Sequence, residues 1–254
     1  MKLANFFILP FYLLLPTIPN LALASDEEPV SYSRMIDVDD KVVTKHKTTI
    51  KGNGIAYTAT VGTQPVWDDE GDAIATLHYT YYKRSDVKDY SNRPLLISFN
   101  GGPGSASVWM HIAYTGPKVL NVNDEGYPLQ PYGVKTNDYS VLDVADIVFV
   151  NPVNTGFSRM LKNKKGEYLS KEEQKKTFFG VKADIKYLAE WLNTFVSRNE
   201  RWRSPKFLIG ESYGTTRVAG LALELQARQW MYLNGVILVS PTDIGLKRDG
   251  AIKS

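Results

Sequence analysis

Two kinds of apolar pattern alternate along the chain. Residues 55–61 (Ile-Ala-Tyr-Thr-Ala-Thr-Val) and 73–82 (Ala-Ile-Ala-Thr-Leu-His-Tyr-Thr-Tyr-Tyr) are rich in β-branched and aromatic residues with near-alternation. With the turn-prone stretch Asp68–Asp72 between them, they predict an antiparallel strand pair. Leu95–Phe99, Ile147–Val150, Phe207–Ile209 and Val236–Val239 are instead short unbroken apolar runs, the pattern of parallel strands buried on both faces. Between these runs the spacing turns helical. In 177–198, Val181, Ile185, Leu188, Leu192 and Phe195 recur every three or four residues and predict one apolar face. The stretch 215–229 is apolar nearly all round (Val218, Ala219, Leu221, Ala222, Leu223, Leu225), which predicts a buried helix. Buried strands alternating with helices predict an α/β fold: a mostly parallel sheet with flanking helices and right-handed crossovers. Residues 25–50 are polar and mixed, an N-terminal lead-in or an extra strand, and the domain is expected over 51–254.

Composition narrows this picture. A chain of 254 residues with 43% hydrophobic content can bury one sizeable core. Thirty basic against 27 acidic residues leave a net charge of +3. The densest basic run, Lys162 to Lys176, is interrupted by acids and carries no aromatic ladder, so it reads as a solvated segment and not as a nucleic-acid surface. With no cysteine there is no disulfide, no thiolate metal site and no lipidation site. No motif asks for a metal or a cofactor. Residues 1–24 carry the marks of a signal peptide: Lys2, the apolar stretch Phe6 to Leu15, then Ala22-Leu23-Ala24 before an acidic run. Pro10, Pro16 and Pro19 argue against a spanning anchor. The expectation is export to a periplasm or the medium, with no membrane attachment after cleavage.

Two short motifs carry chemistry. Gly210-Glu-Ser-Tyr-Gly214 follows the run Lys206-Phe-Leu-Ile209 and precedes a helical stretch. A lone Gly-x-Ser-x-Gly is weak evidence, but a strained strand-to-helix turn needs this context, and it would lift Ser212 to the carboxyl end of the sheet at a helix N-terminus. Asn100-Gly-Gly-Pro-Gly104 follows the run ending at Phe99. Backbone N–H groups of Gly102 and Tyr213, one from each loop, would form an oxyanion hole. Losing one such donor costs on the order of 3 kcal/mol of transition-state stabilisation.

With Asp146-Ile-Val-Phe-Val-Asn-Pro-Val-Asn-Thr-Gly-Phe-Ser158, these motifs form three ordered blocks that resemble the serine carboxypeptidase family, of α/β-hydrolase fold, over roughly residues 90–241. Prolyl aminopeptidases share Gly-Gly-Pro-Gly, so Asn100 and Glu211 are the discriminating residues. The resemblance implies an exopeptidase that removes C-terminal residues from peptides through an acyl-enzyme on Ser212. It implies Gly102 and Tyr213 as oxyanion donors, and Asn100, the Gly101 N–H and Glu211 as the holders of the substrate's free carboxylate. A carboxyl group bonds a carboxylate only with a shared proton, so recognition is expected to favour acid. The chain departs from the pattern at Ser105, where many members have Cys, and at Tyr114, where the family often places a second acid.

In the α/β-hydrolase order an acid and then a histidine follow the serine. The three histidines, His46, His78 and His111, all precede Ser212 and read as structural. Asp243 and Asp249 do follow, but Asp243 comes too early for the triad acid. The chain therefore reads as the N-terminal part of the domain, incomplete at the C-terminal end, with the Val236–Val239 strand exposing an apolar edge. Serine without a base is a weak nucleophile, so the chain alone is expected to be inactive. A separately encoded C-terminal half is one candidate partner, besides the peptide C-terminus. Two alternatives stand beside this reading: a non-catalytic remnant that binds peptide C-termini, and an esterase or acyltransferase using another base.

Overall fold

The structure, a computed structural model, describes residues 37–241, all within the unit Ile36–Ser254. The signal peptide expected over 1–24, and Asp243 and Asp249, lie outside the described residues. The polar lead-in contains an extra strand, β1 (Lys41–Ile50), which pairs along its whole length with β2 (Asn53–Trp67). Lys51 and Gly52 join them with φ of 49° and 79°, the positive pair that a two-residue hairpin turn requires. β3 (Ala73–Arg84) returns antiparallel to β2 across the predicted Asp68–Asp72 turn.

The four unbroken apolar runs form β4 (Leu95–Phe99), β7 (Asp146–Val150), β9 (Lys206–Glu211) and β10 (Gly235–Val239). Between β4 and β7 lies a two-stranded ribbon, β5 (Lys118–Leu120) and β6 (Val134–Thr136), and the short β8 (Arg159–Met160) pairs with β3. The main sheet runs β1-β2-β3-β7-β4-β9-β10, antiparallel as far as β7 and parallel from there to β10. All four parallel strands therefore end on the same side.

Helices α1 (Lys171–Thr177), α2 (Val181–Arg198) and α3 (Tyr213–Arg228) follow β8 and β9. A capping box between Ser170 and Glu173 starts α1. Alternation along the parallel strands divides the core in two. Leu95, Ile97, Phe99, Val148 and Leu208 face Leu188, Leu192, Val196, Val218, Leu221 and Leu225 of α2 and α3. Leu96, Ile147, Phe149 and Ile209 face the other way, against Met110 and Ala145.

Two expectations need correction. α3 is not buried all round: Leu223 is 72% exposed, because only the stripe through Val218, Leu221 and Leu225 meets α2 and the sheet. Nor is Val236–Val239 a strand buried on both faces. β10 pairs only with β9 among the described residues, and Val236, Ile237 and Leu238 stay 38–49% exposed, leaving the apolar edge described above.

Candidate active site

The two motifs meet at the carboxyl ends of β4 and β9. Ser212 has φ 55° and ψ −124°, a conformation that costs a non-glycine residue about 1–3 kcal/mol. Its neighbours hold it there. The Ser212 N–H donates to the Val239 carbonyl at 3.0 Å, and its own carbonyl accepts from Thr215 N at 2.9 Å and Thr215 Oγ1 at 2.7 Å. The turn is so tight that a Cβ on Gly210 would run into the Gly214 carbonyl.

The glycine-rich loop Asn100–Gly104 presses against this elbow. A Cβ on Gly101 would lie 2.7 Å from the Glu211 carbonyl, 2.7 Å from Tyr213 N and 2.8 Å from Ser212 Cβ, so only glycine lets the two backbones touch. Carbonyl contacts on the far side set where the loop's N–H groups aim. Asn100 O accepts from Arg217 Nη1 at 2.8 Å, and Gly101 O accepts from Ser105 N at 3.2 Å. Both following peptide bonds are trans, so the Gly101 N–H points away from Arg217 and the Gly102 N–H away from Ser105. Tyr213 opens α3, and its N–H has no intrahelical acceptor.

Asn100 and Glu211 also converge. Asn100 is 1% exposed, and its Nδ2 donates to Glu211 Oε2 at 3.2 Å while its Oδ1 accepts from Met110 N at 3.0 Å. Both residues line a cavity of about 320 Å³ whose other walls are Trp109, Met110, Ala113, Tyr114 and Val239. Tyr114, at the position of the expected second acid, is an exposed aromatic of this wall, and its carbonyl is held by Asn137 Nδ2 at 2.9 Å. A second cavity of about 880 Å³ shares Trp109, Ala113 and Tyr114 and continues along Leu96, Ile209 and Ile237.

None of the three histidines hydrogen-bonds Ser212. His46 Nε2 meets Thr44 Oγ1 at 2.7 Å and its ring stacks on Tyr57. His78 Nδ1 faces Asn151 Nδ2 at 3.1 Å. His111 Nε2 meets Tyr82 OH at 2.6 Å, its ring stacks on Phe149 at 4.5 Å, and burial pushes its pKa down to about 4. Among the described residues no cluster of three or more His, Cys, Asp or Glu side chains could hold a metal.

Sequence reading missed the supports behind the loop. Ser107 Oγ donates to the Val150 carbonyl at 2.5 Å and accepts from Asn100 N at 3.3 Å, while Ser107 N donates to Asn151 Oδ1 at 2.9 Å. Arg217 and Asp184 form a buried ion pair at 2.8 Å directly under Asn100. A signal existed for the pair: each is a charge inside an otherwise apolar helical stripe, Asp184 between Val181 and Leu188, and Arg217 beside Val218.

Comparison with known proteins places this geometry. The family described as serine carboxypeptidase matches residues 67–242. Human retinoid-inducible serine carboxypeptidase is 32% identical over 149 residues, covering 58% of this chain and 28% of that protein. Serine carboxypeptidase-like 36 of Arabidopsis thaliana is 27% identical over 169 residues, covering 64% of this chain and 31% of the relative. The chain thus spans less than a third of the length of these relatives. Among solved structures, a prohormone-processing carboxypeptidase from Saccharomyces cerevisiae superposes with a TM-score of 0.52 at 20% identity, covering 72% of this chain and 38% of that one. The fold is that of the α/β-hydrolases. A family match over most of the described residues, with the elbow, the oxyanion loop and the Asn100–Glu211 pair in one place, shows that this chain belongs to the serine carboxypeptidase family.

Proposed function

We infer that this chain carries the nucleophile side of a serine carboxypeptidase site. Ser212 attacks the last peptide carbonyl of a substrate, and the Gly102 and Tyr213 N–H groups stabilise the oxyanion. Asn100, the Gly101 N–H and Glu211 hold the substrate's terminal carboxylate, with the proton between the two carboxyl groups favouring acid conditions. The single observation behind this reading is the convergence of Asn100 Nδ2 and Glu211 Oε2 at 3.2 Å on one cavity beside the strained serine. An esterase site needs an oxyanion hole but no holder for a free carboxylate, so this convergence favours a peptide C-terminus. The activating acid and histidine come from sequence outside the described residues; a separately encoded C-terminal half is one source. Among the described residues no histidine hydrogen-bonds Ser212, so the serine is activated only where that acid and histidine are in place, and the site works after export.

A fluorophosphonate probe tests this. Ser212 in the 254-residue chain should label slowly, and at least about a thousandfold faster when a polypeptide with the related acid and histidine is supplied, since triad members act as a unit. Rapid labelling of the chain alone would show that it has its own base. Labelling that persists in Ser212→Ala would remove Ser212 from the chemistry.

A further inference from the structure

Arg217 does more than pair with Asp184. It is 1% exposed, and its guanidinium reaches four acceptor atoms on two segments, α2 and the loop after β4. Nε donates to Asp184 Oδ2 at 2.8 Å and Nη2 to Asp184 Oδ1 at 3.4 Å, both on α2. Nη1 donates to the Asn100 carbonyl at 2.8 Å and Nη2 to the Pro103 carbonyl at 3.2 Å, the two ends of the Gly101–Gly102 segment. The guanidinium also lies 5.7 Å from the Phe99 ring centroid, at the end of β4, and 5.1 Å from that of Tyr213, at the start of α3. Asp184 in turn accepts from Tyr187 OH at 3.1 Å and Tyr213 OH at 3.5 Å.

Stability alone is a poor reason for this arrangement. Replacing a buried ion pair by apolar residues of similar volume is often neutral or stabilising, because two charges must be stripped of water. Orientation is a better reason. Arg217 stands one turn after Tyr213 on the same helix, so tying Asn100 O and Pro103 O to it fixes the loop's N–H groups relative to the Tyr213 N–H. An oxyanion hole built from two separate loops depends on that fixed distance.

We propose that Arg217, held by Asp184, is a positioning residue that clamps the oxyanion loop to the nucleophile elbow. The inference rests on the reading of Ser212 and this loop as acyl-transfer machinery. Lysine can keep the ion pair but, with its three donors on one nitrogen at the end of a flexible stem, cannot span Asp184 and both carbonyls as the planar guanidinium does.

The test compares the full chain with Arg217→Lys, Arg217→Met and Asp184→Asn. Hydrogen exchange of residues 99–107 should quicken by roughly tenfold or more in Arg217→Lys, with β7 and β9 exchange and the urea midpoint close to wild type. Ser212 phosphonylation, measured in the presence of the activating polypeptide, should slow by about 30-fold or more in Arg217→Lys and Arg217→Met. Asp184→Asn, which leaves Arg217 in place but loosens it, should fall in between. Loop exchange and labelling both within about threefold of wild type in Arg217→Lys would overturn the clamp, as would a uniform rise in exchange that tracks lost global stability. If wild-type Ser212 never labels, the acyl-transfer reading fails, and the exchange comparison alone decides whether Arg217 clamps the loop.

Discussion

Both ends of the parallel strands bury an arginine–aspartate cluster, and the two serve different purposes. At the foot, Asp146 is wholly buried and accepts from Arg93 Nε at 2.7 Å, Arg201 Nη1 at 2.6 Å and Arg84 N at 3.0 Å. The remaining Arg201 donors go to the framework: Tyr81 OH, Ser204 Oγ and the carbonyls of Arg93 and Pro94. Those partners mark the starts of β4 and β7, so the cluster pins where the strands begin. At the head, Arg217 bonds the carbonyls of a glycine-rich loop beside a serine in strained backbone. On the clamp proposed above, the same chemistry locks a frame in one place and aims reacting groups in the other. Arg93 and Arg201 already outnumber Asp146 at the foot, and Lys206 adds a further buried cation, its amine on the Trp202 and Ser204 carbonyls. Burial lowers the pKa of that amine.

The difference can be broken by mutation. Asp146→Asn strands buried Arg93 and Arg201 and should cost about 4 kcal/mol of stability, read from urea unfolding. In whatever fraction stays folded, Ser212 labelling should be nearly unchanged. Arg217→Lys should do the reverse, with a small stability loss and a large loss of labelling. If the two substitutions had the same profile, the distinction between frame and aim would collapse.

A smaller effect concerns the wall between them. His111 is half-buried against Tyr82 and Phe149, and desolvation lowers its pKa from 6.5 to about 4. The unfolded chain therefore takes up a proton more readily than the folded one as pH drops below about 6.5. The stability held by neutral His111 is complete above that value and declines as pH falls from about 6.5 towards 4. An NMR titration should give His111 a midpoint near 4, and His111→Gln should flatten the melting temperature over that window. A midpoint near 6.5 would place the ring in water.

How far the sequence could be read follows from distance along the chain. The elbow and the glycine-rich loop beside it were legible as structure because each is a run of neighbouring residues whose backbone demands are local: glycine where Gly101 touches the elbow, glycine where Gly210 turns. Strand identities were legible from short, mostly apolar runs, as at Leu95–Phe99, which β4 matches end to end. The supports were not legible because they join distant segments. Asp184 and Arg217 are 33 residues apart, Ser107 and Asn151 are 44, and no local pattern names a partner. Val236–Val239 was legible in part. Its apolar run suggested burial on both faces, which β10 does not have, while the expected open edge is what the sheet order shows, with β9 on one side and no further strand among the described residues.

The central claim is that Asn100 and Glu211 hold a peptide's terminal carboxylate beside Ser212, and calorimetric binding tests it without any need for turnover. A blocked tripeptide with a free C-terminus and the same peptide as its C-terminal amide would be titrated into the chain near pH 5 and near pH 7. The free acid should bind more tightly than the amide near pH 5 and weaken by about tenfold near pH 7, as the shared proton is lost. Glu211→Gln should remove that pH dependence, because an amide donates to a carboxylate at any pH. Equal binding of acid and amide at both pH values, unchanged in Asn100→Ala, would contradict the account.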